Sequence, residues 1–294
     1  MLFKIESVMT ISEIQGFHHI TAFAKSLKEN QQFYIQILGL RLVKQTVHQE
    51  NFKTIHLFYG DYSGTTGTLL SFFIYPKMGR SYLNDPYYKS VTLAIPEGSV
   101  LYWKKRLNDF NISYKSHEHS PMIFIEDPDG LSLILSEVEE HTTKEQVNQA
   151  SSIPQSKQIV RILQVDLSVP NVNKEIEFYR NFLGLKELSQ NLLTFHSTET
   201  TERSRIGRGS IDHIAFGVKN ESELIHYKTR AETLGYTVEK LADRHYFKSL
   251  YVLSPSGLRV ELATLQPGFT LDETVEQLGN SLITLKPLPN KLEE

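Results

Sequence analysis

The sequence predicts an α+β protein made of four similar strand–helix–strand units in two similar halves. Two observations support this prediction. Short segments in which apolar and polar residues alternate, typical of β-strands, recur along the chain with one helical segment in each unit. Short sequences also repeat, since residues 33–40 resemble residues 178–185, and residues 127–131 resemble residues 254–258. Repetition of this kind indicates one supersecondary unit used several times.

Composition and charge argue against several classes of protein. The 294 residues carry a formal net charge of -3 without a basic stripe, so a nucleic-acid partner is not expected. The chain has no cysteine, which excludes a disulfide framework, a cysteine nucleophile and a zinc–thiolate site. No apolar run approaches the ~18 residues of a membrane helix. Residues 1–15 lack the apolar core of a signal peptide, so a cytoplasmic protein is expected.

The first half, residues 1–140, is expected to hold units one and two. The predicted elements of unit one are a strand at 17–24, a helix at 27–38, and strands at 41–48, 54–59 and 68–75. The helix stops at Gly39, because glycine readily ends a helix. The predicted elements of unit two are a strand at 90–95, a helix at 99–110, and strands at 112–114, 122–126 and 131–136.

The second half, residues 159–265, follows a polar linker at 141–158 and is expected to hold units three and four. Unit three has a predicted strand at 162–169 and a helix at 173–183, then decays into a polar segment at 197–208 that reads as a mobile loop. Unit four has predicted strands at 210–218 and 251–264, the latter interrupted by a Pro/Gly turn, and a helix at 221–234. Residues 266–294 are expected to be a tail with a short helix near 271–278, packed on the second half.

Two strands of unit four each present a metal-capable side chain beside small residues. His213 shares one strand face with Ala215 and Gly217, and Glu261 shares one with Ala263. Small neighbours leave room, which an open metal site needs. Taken alone, these two residues are better explained as ordinary hydrogen-bonded side chains at the end of a sheet.

The repeated units, opened by histidine and closed by glutamate, resemble the vicinal oxygen chelate fold of the glyoxalase and extradiol dioxygenase superfamily. The chain resembles more closely the two-domain ring-cleaving dioxygenases that act on hydroquinone- or catechol-type compounds. The segments that carry this resemblance are residues 16–22, 59–61, 67–73, 212–216, 243–251, 261–264 and 267–269. The resemblance covers nearly the whole chain except the weakened unit three. It implies four βαβββ modules in two similar domains, with units paired edge to edge into a cupped sheet.

The resemblance also implies that metal ligands come from the first and last strands of a unit. The first-strand positions are His19, Ser90, Gln164 and His213. The last-strand positions, four residues past the turn glycine, are Ser71, Ile134 and Glu261, and unit three has no readable equivalent. Only His19, His213 and Glu261 are good ligands, so units one and four are expected to build one site together. Gln164 and Ile134 argue against a second site.

Two histidines and one carboxylate leave about three coordination positions open, the arrangement associated with non-haem Fe(II) oxygenases. The resemblance therefore implies an Fe(II) dioxygenase, with Mn(II) as the alternative metal, and a small aromatic diol and O₂ as its substrates, in quinone detoxification. Two alternatives remain open: a glyoxalase-type lyase or isomerase, which typically uses four protein ligands, and a non-catalytic protein that binds an aromatic ligand. The oligomeric state is left open, with a homodimer as one alternative.

Three residues near Glu261 resemble the family's catalytic surroundings of the metal: Tyr251, His245 and Tyr246. The Tyr251 hydroxyl is expected to hold a substrate oxygen or the ring-attack intermediate. His245 is a candidate acid/base, because histidine has an unperturbed pKa near ~6.5. Each of the three could instead be a buried, hydrogen-bonded ring.

Four other histidines are weaker candidates. His18 is expected to be a packed or surface residue, because it lies on the strand face opposite His19. His56, in the third strand of unit one, could line the same cup but is more readily explained as structural. His117 and His119 lie in a polar segment and are expected to form a solvated surface pair.

Overall fold

The predicted alternation of strands and helices is confirmed in the structure, a computed structural model that describes residues 14–118, 120–185, 192–197, 202 and 204–284. Unit one consists of β1 (Phe17–Ala24), α1 (Leu27–Gln31), β2 (Arg41–His48), β3 (Asn51–Gly60) and β4 (Leu69–Ile74). Unit two consists of β5 (Tyr87–Pro96), α2 (Val100–Asp109), β6 (Tyr114–Lys115), β7 (Met122–Glu126) and β8 (Ser132–Val138).

Unit three is shorter than the others in the part of the chain that is described. Its elements are β9 (Arg161–Ser168), α3 (Val172–Leu183) and β10 (Leu193–His196). Unit four consists of β11 (Ile211–Val218), α4 (Glu221–Thr233), β12 (Thr237–Asp243), β13 (Lys248–Leu253) and β14 (Arg259–Thr264), and the short β15 (Leu282–Ile283) follows in the tail. The segment predicted to be a mobile loop lies partly outside the described residues, but Arg205 and Arg208 bridge to Tyr82 and Arg80.

The strands form two sheets, and each sheet combines one unit from each half of the chain. The nine-stranded sheet has the order β12-β13-β14-β11-β1-β4-β3-β2-β15, and the six-stranded sheet has the order β10-β9-β5-β8-β7-β6. Antiparallel pairing of β1 with β11 joins unit one to unit four, and antiparallel pairing of β5 with β9 joins unit two to unit three. The division of the chain into domains around 141–158 stays a prediction.

One helix and the tail differ from their predicted forms. The helix predicted at 27–38 is α-helical only to Gln31, and Gln32–Ile37 forms a π-helical turn that buries Phe33, Tyr34 and Ile37. The helix predicted near 271–278 is wrong, because this described part of the tail has short 3₁₀ turns at Phe269–Leu271 and Val275–Gln277 in its place.

The tail packs on unit one in addition to the second half. The sequence predicts packing on the second half, so this is a correction. β15 pairs with β2, and the buried ammonium group of Lys44 in β2 forms ion pairs with Asp272 and Glu273. Asp272 also accepts a hydrogen bond from the Tyr246 hydroxyl of unit four, at 2.7 Å. A buried lysine requires charged partners, so the tail is held where those carboxylates reach Lys44.

Candidate metal centre

The junction of β1 and β11 brings His19, His213 and Glu261 together. In the sheet His19 lies opposite Ala215, and Ala215 lies beside Glu261 on β14. Since paired residues point to the same side, His19 and Glu261 flank a small alanine and His213 lies one step along the same face. All three side chains are buried.

The three side chains present one ligand atom each to a common point. Nε2 of His19 lies 3.3 Å from Nε2 of His213 and 3.3 Å from Oε2 of Glu261. Nε2 of His213 lies 2.8 Å from the same carboxylate oxygen. Nitrogen and oxygen ligands bind divalent metals at about 2.0–2.2 Å, so ligands at right angles to one another are separated by about 3 Å. The observed separations fit three adjacent positions on one metal ion.

The hydrogen bonding of Glu261 also fits a metal site. Its Oε2 is buried and has no hydrogen bond of acceptable geometry from the described residues, although two imidazole nitrogens lie close to it. Buried carboxylate oxygens normally have a partner. In the described residues this is the one group in which three His, Cys, Asp or Glu ligand atoms come so close together. These three residues could therefore hold a divalent metal.

In each candidate ligand, the second nitrogen or oxygen of the side chain, which does not face the common point, lies within hydrogen-bonding distance of a neighbouring residue. Asp212 Oδ2 lies 2.6 Å from Nδ1 of His213, and Ser249 Oγ donates to Oε1 of Glu261 at 2.5 Å. Nδ1 of His18 lies 2.9 Å from Nδ1 of His19. Such partners fix the ring orientation and the tautomer of metal-binding histidines.

His18 lies beside His19 because β1 is irregular at this point. The pairing with β11 shifts register between Phe17 and His19, which places an extra residue in β1. His18 is buried, as the packed alternative predicted, but its ring contacts both His19 and Phe247. The simple alternation of strand faces therefore fails at this residue.

The electrostatics of the metal-free centre favour one positively charged imidazole beside an ionised Glu261 carboxylate. Burial disfavours a charged carboxylate, but the facing imidazoles of His19 and His213 outweigh it and hold the pKa of Glu261 well below its usual range. Burial also disfavours a charged His213, but the carboxylates of Glu261 and Asp212 raise its pKa to about 9. For His19 burial dominates over Glu261, and its pKa is lowered. His213 is therefore the positively charged imidazole at neutral pH, and His19 is neutral.

A cavity of about 190 Å³ opens over the metal centre. Its walls near His19 and His213 are aromatic, and they include Phe58, Phe247 and Tyr251. A cavity of roughly 150 Å³ is known to hold benzene, so this one has room for a single substituted aromatic ring. Its shape and lining suit a small aromatic compound.

The mouth of the cavity is charged. Glu50, in the turn between β2 and β3, forms ion pairs with Lys240 and Arg244 of unit four. The Arg244 guanidinium also lies 5.1 Å from the centre of the Tyr251 ring. The ion pairs of Glu50 connect unit one to unit four beside the cavity.

The three predicted catalytic residues occupy different places. Tyr251 lines the cavity, and its hydroxyl accepts a hydrogen bond from Nε of Arg244 at 3.2 Å. Tyr246 also lines the cavity, but its hydroxyl is occupied by Asp272. His245 is not among the cavity residues, and its Nε2 lies 3.9 Å from Oδ2 of Asp272.

Several residues of the site were assigned no role by the sequence analysis. Asp212 and Ser249 contact the candidate ligands, and His48 lines the cavity. Asp212 precedes His213, and consecutive strand residues normally face opposite ways, so the pattern offered no signal for this contact. His56 does line the cavity. His117 is exposed, as expected, and His119 lies outside the described residues.

In the described residues no helix is both long and apolar enough to span a lipid bilayer.

Comparison with known proteins agrees with this architecture. The model of the Glyoxalase/Bleomycin resistance protein/Dioxygenase superfamily matches residues 16–77 and 161–262. A protein of Bacillus subtilis (strain 168) named "Putative ring-cleaving dioxygenase MhqO" is 31% identical, with 91% of this chain and 90% of that protein covered. The "Chlorohydroquinone/hydroquinone 1,2-dioxygenase" of Sphingobium indicum is 27% identical, with 92% and 91% covered.

A solved structure agrees as well. A crystal structure of a "putative dioxygenase" from Bacillus subtilis subsp. subtilis str. 168 superposes with a TM-score of 0.86 at 28% identity, covering 93% of each chain. The family model alone covers more than half of the sequence, and both relatives extend over nearly all of it. The chain belongs to the Glyoxalase/Bleomycin resistance protein/Dioxygenase superfamily.

Proposed function

We propose that the protein is a ring-cleaving dioxygenase that opens a hydroquinone or catechol ring with O₂, at an Fe(II) ion held by His19, His213 and Glu261. The observation that carries the proposal is the convergence of these three buried candidate ligand atoms beside an aromatic cavity sized for one ring, with His19 and His213 in its lining. The named functions of the relatives, ring-cleaving and hydroquinone dioxygenation, support the same reaction class. Quinone detoxification would be its purpose.

The number of ligands favours this reaction over a glyoxalase-type isomerisation. Such an isomerase typically uses four protein ligands, and the group in the described residues has three. Three protein ligands leave about three positions for exogenous oxygens. When bound, Fe(II) would supply a site that orients substrate and O₂ together and lowers the pKa of a coordinated hydroxyl. Mn(II) is the alternative, because two imidazoles and a carboxylate also suit that ion.

Tyr251 is proposed to hold a substrate oxygen. Burial and the nearby Glu261 carboxylate raise the pKa of Tyr251, so its hydroxyl keeps its proton at neutral pH. Arg244 donates to the tyrosine oxygen, so the hydroxyl proton is not used in that contact, and a substrate oxygen in the cavity would compete with the neighbouring Ser249 side chain for it. The rings of Phe58 and Phe247 give the same volume apolar walls.

Tyr246 and His245 fit catalytic roles less well. The Tyr246 hydroxyl donates to Asp272, so this residue is proposed to shape the cavity wall and to connect it to the tail. His245 stays a predicted acid/base that its position beside Asp272 does not support.

Oxygen uptake tests the proposal. The protein is purified without oxygen, loaded with Fe(II), and mixed with 2-methylhydroquinone or catechol in an oxygen electrode. The expected result is one O₂ consumed for each ring opened, with both atoms of ¹⁸O₂ found in the product by mass spectrometry. Tight binding of the diol without oxygen consumption would favour the non-catalytic alternative. Tyr251→Phe should keep the metal and lose about 100-fold in kcat.

A further inference from the structure

His56 lies along the cavity from the metal centre. It is on β3, opposite Phe73 of β4, and Phe73 pairs with Phe23 of β1. Its ring reaches back to Ser71, which is level with Thr21, two residues beyond His19. Two strand residues correspond to about 7 Å. Thr21 is itself paired with His213, so His56 is separated from the candidate ligands mainly across the sheet, on the second strand from β1, which corresponds to roughly 10 Å at the usual strand spacing.

One side of the His56 ring is fixed by a short chain of hydroxyl groups. Nε2 of His56 lies 3.3 Å from Oγ of Ser71, and that oxygen lies 2.7 Å from Oγ1 of Thr21. The ring also packs against Phe58 and Phe73, with centroid distances of 4.2 and 4.3 Å. These contacts hold the imidazole in one orientation between two aromatic walls.

The other ring nitrogen, Nδ1, is available to a ligand. It has no hydrogen-bond partner among the described residues, and His56 lines the cavity. Burial and the neighbouring His48 hold the pKa of His56 well below its usual range, so the imidazole is neutral at physiological pH. A neutral imidazole has one donor and one acceptor nitrogen, and a hydroxyl group can pair with either.

We propose that His56 binds the substrate hydroxyl that points away from the metal and thereby selects para-diols over ortho-diols. This rests on the proposed function and adds a specificity residue to it. In a para-diol, one oxygen faces the metal centre while the other lies across the ring, at the end where Nδ1 of His56 is unpaired. In an ortho-diol both oxygens face the metal centre, and Nδ1 meets only a carbon edge. A ligand that leaves a polar group of the site buried and unpaired binds more weakly than one that pairs with it, so the ortho-diol is disfavoured.

Ligand binding to the Fe(II)-loaded protein without O₂ tests this role. Hydroquinone should bind the wild-type protein at least about tenfold more tightly than phenol, which lacks the remote oxygen. His56→Phe keeps an aromatic ring but no hydrogen-bonding group, and it should remove that preference while leaving phenol affinity unchanged. His56→Gln should restore part of it. His117→Phe, at an exposed position outside the cavity, is the matched control and should retain the full preference.

The outcomes separate this role from the reaction itself. Equal affinities for hydroquinone and phenol in the wild-type protein contradict the role of His56, and this comparison does not depend on any variant folding. An equal loss of affinity for both ligands in His56→Phe contradicts it too. If the wild-type protein consumes no O₂ but keeps a His56-dependent preference for hydroquinone, the proposed dioxygenase reaction fails and the binding role stands.

Discussion

Asp212 and His213 are consecutive residues of β11, yet Oδ2 of Asp212 lies 2.6 Å from Nδ1 of the His213 imidazole. Arg259 donates from Nη1 to both Asp212 oxygens, at 3.0 and 3.1 Å. Glu239 in turn pairs with the same guanidinium. The carboxylate is thus fixed on its far side and keeps a proton on Nδ1, so that Nε2 is the nitrogen that faces Glu261 and can give up its proton to bind a metal.

This contact predicts that Asp212→Asn weakens metal binding. The amide keeps the shape of the side chain but removes the charge that orients His213 and increases its basicity. The expected loss of affinity is about 10–100-fold, measured by anaerobic titration of the metal-free protein with Fe(II). Asp109→Asn, on the exposed surface of α2, should bind the metal like the wild type. Unchanged affinity in Asp212→Asn would show that Asp212 does not support the ligand.

Metal affinity should rise with pH. In the metal-free protein the pKa of His213 is raised to about 9, so below that pH its Nε2 must lose a proton before it can bind a metal. Apparent affinity for Mn(II) should therefore increase roughly tenfold per pH unit from pH 6.5 to 8.5, with about one proton released per ion. Calorimetry in buffers of different ionisation enthalpy measures both quantities. A metal affinity that stays constant or falls between pH 6.5 and 8.5 would contradict the assignment of a proton to Nε2 of His213.

The tail should contribute to stability through Lys44. This side chain is fully buried between Asp272 and Glu273. Lys44→Met would leave two carboxylates without their cation, and the expected cost is about 3–5 kcal/mol in the free energy of unfolding. Urea denaturation measures it. Lys105→Met breaks an exposed pair with Asp109 and should cost less than about 1 kcal/mol, so equal effects of the two substitutions would refute the structural role of the tail.

Regular elements of the fold were predictable because their signal is local. The strand predicted at 17–24 is β1 (Phe17–Ala24), and the strand predicted at 122–126 is β7 (Met122–Glu126), since short segments rich in apolar and β-branched residues, bounded by glycine or proline, mark both. The tail was not predictable. Its position depends on Lys44, a residue more than 200 positions away whose burial no local pattern reveals.

The site divides in the same way. His19, His213 and Glu261 could be named from strand positions and the family resemblance, and the structure brings their ligand atoms together. The contact of His18 with His19 and the role of Ser249 could not be predicted. His18 turns toward His19 only because β1 is irregular, and Ser249 reaches Glu261 from the neighbouring strand β13. Neither feature follows from the spacing of residues.

Metal content of the purified protein tests the central claim most directly. The wild-type protein is loaded with Fe(II) and freed of excess metal, and its iron content is measured by elemental mass spectrometry. It should retain about one ion per chain. Glu261→Ala should retain almost none, whereas Glu232→Ala, a change at an exposed glutamate of α4, should retain as much as the wild type. Full metal content in Glu261→Ala, or none in the wild type, would contradict a metal centre at His19, His213 and Glu261.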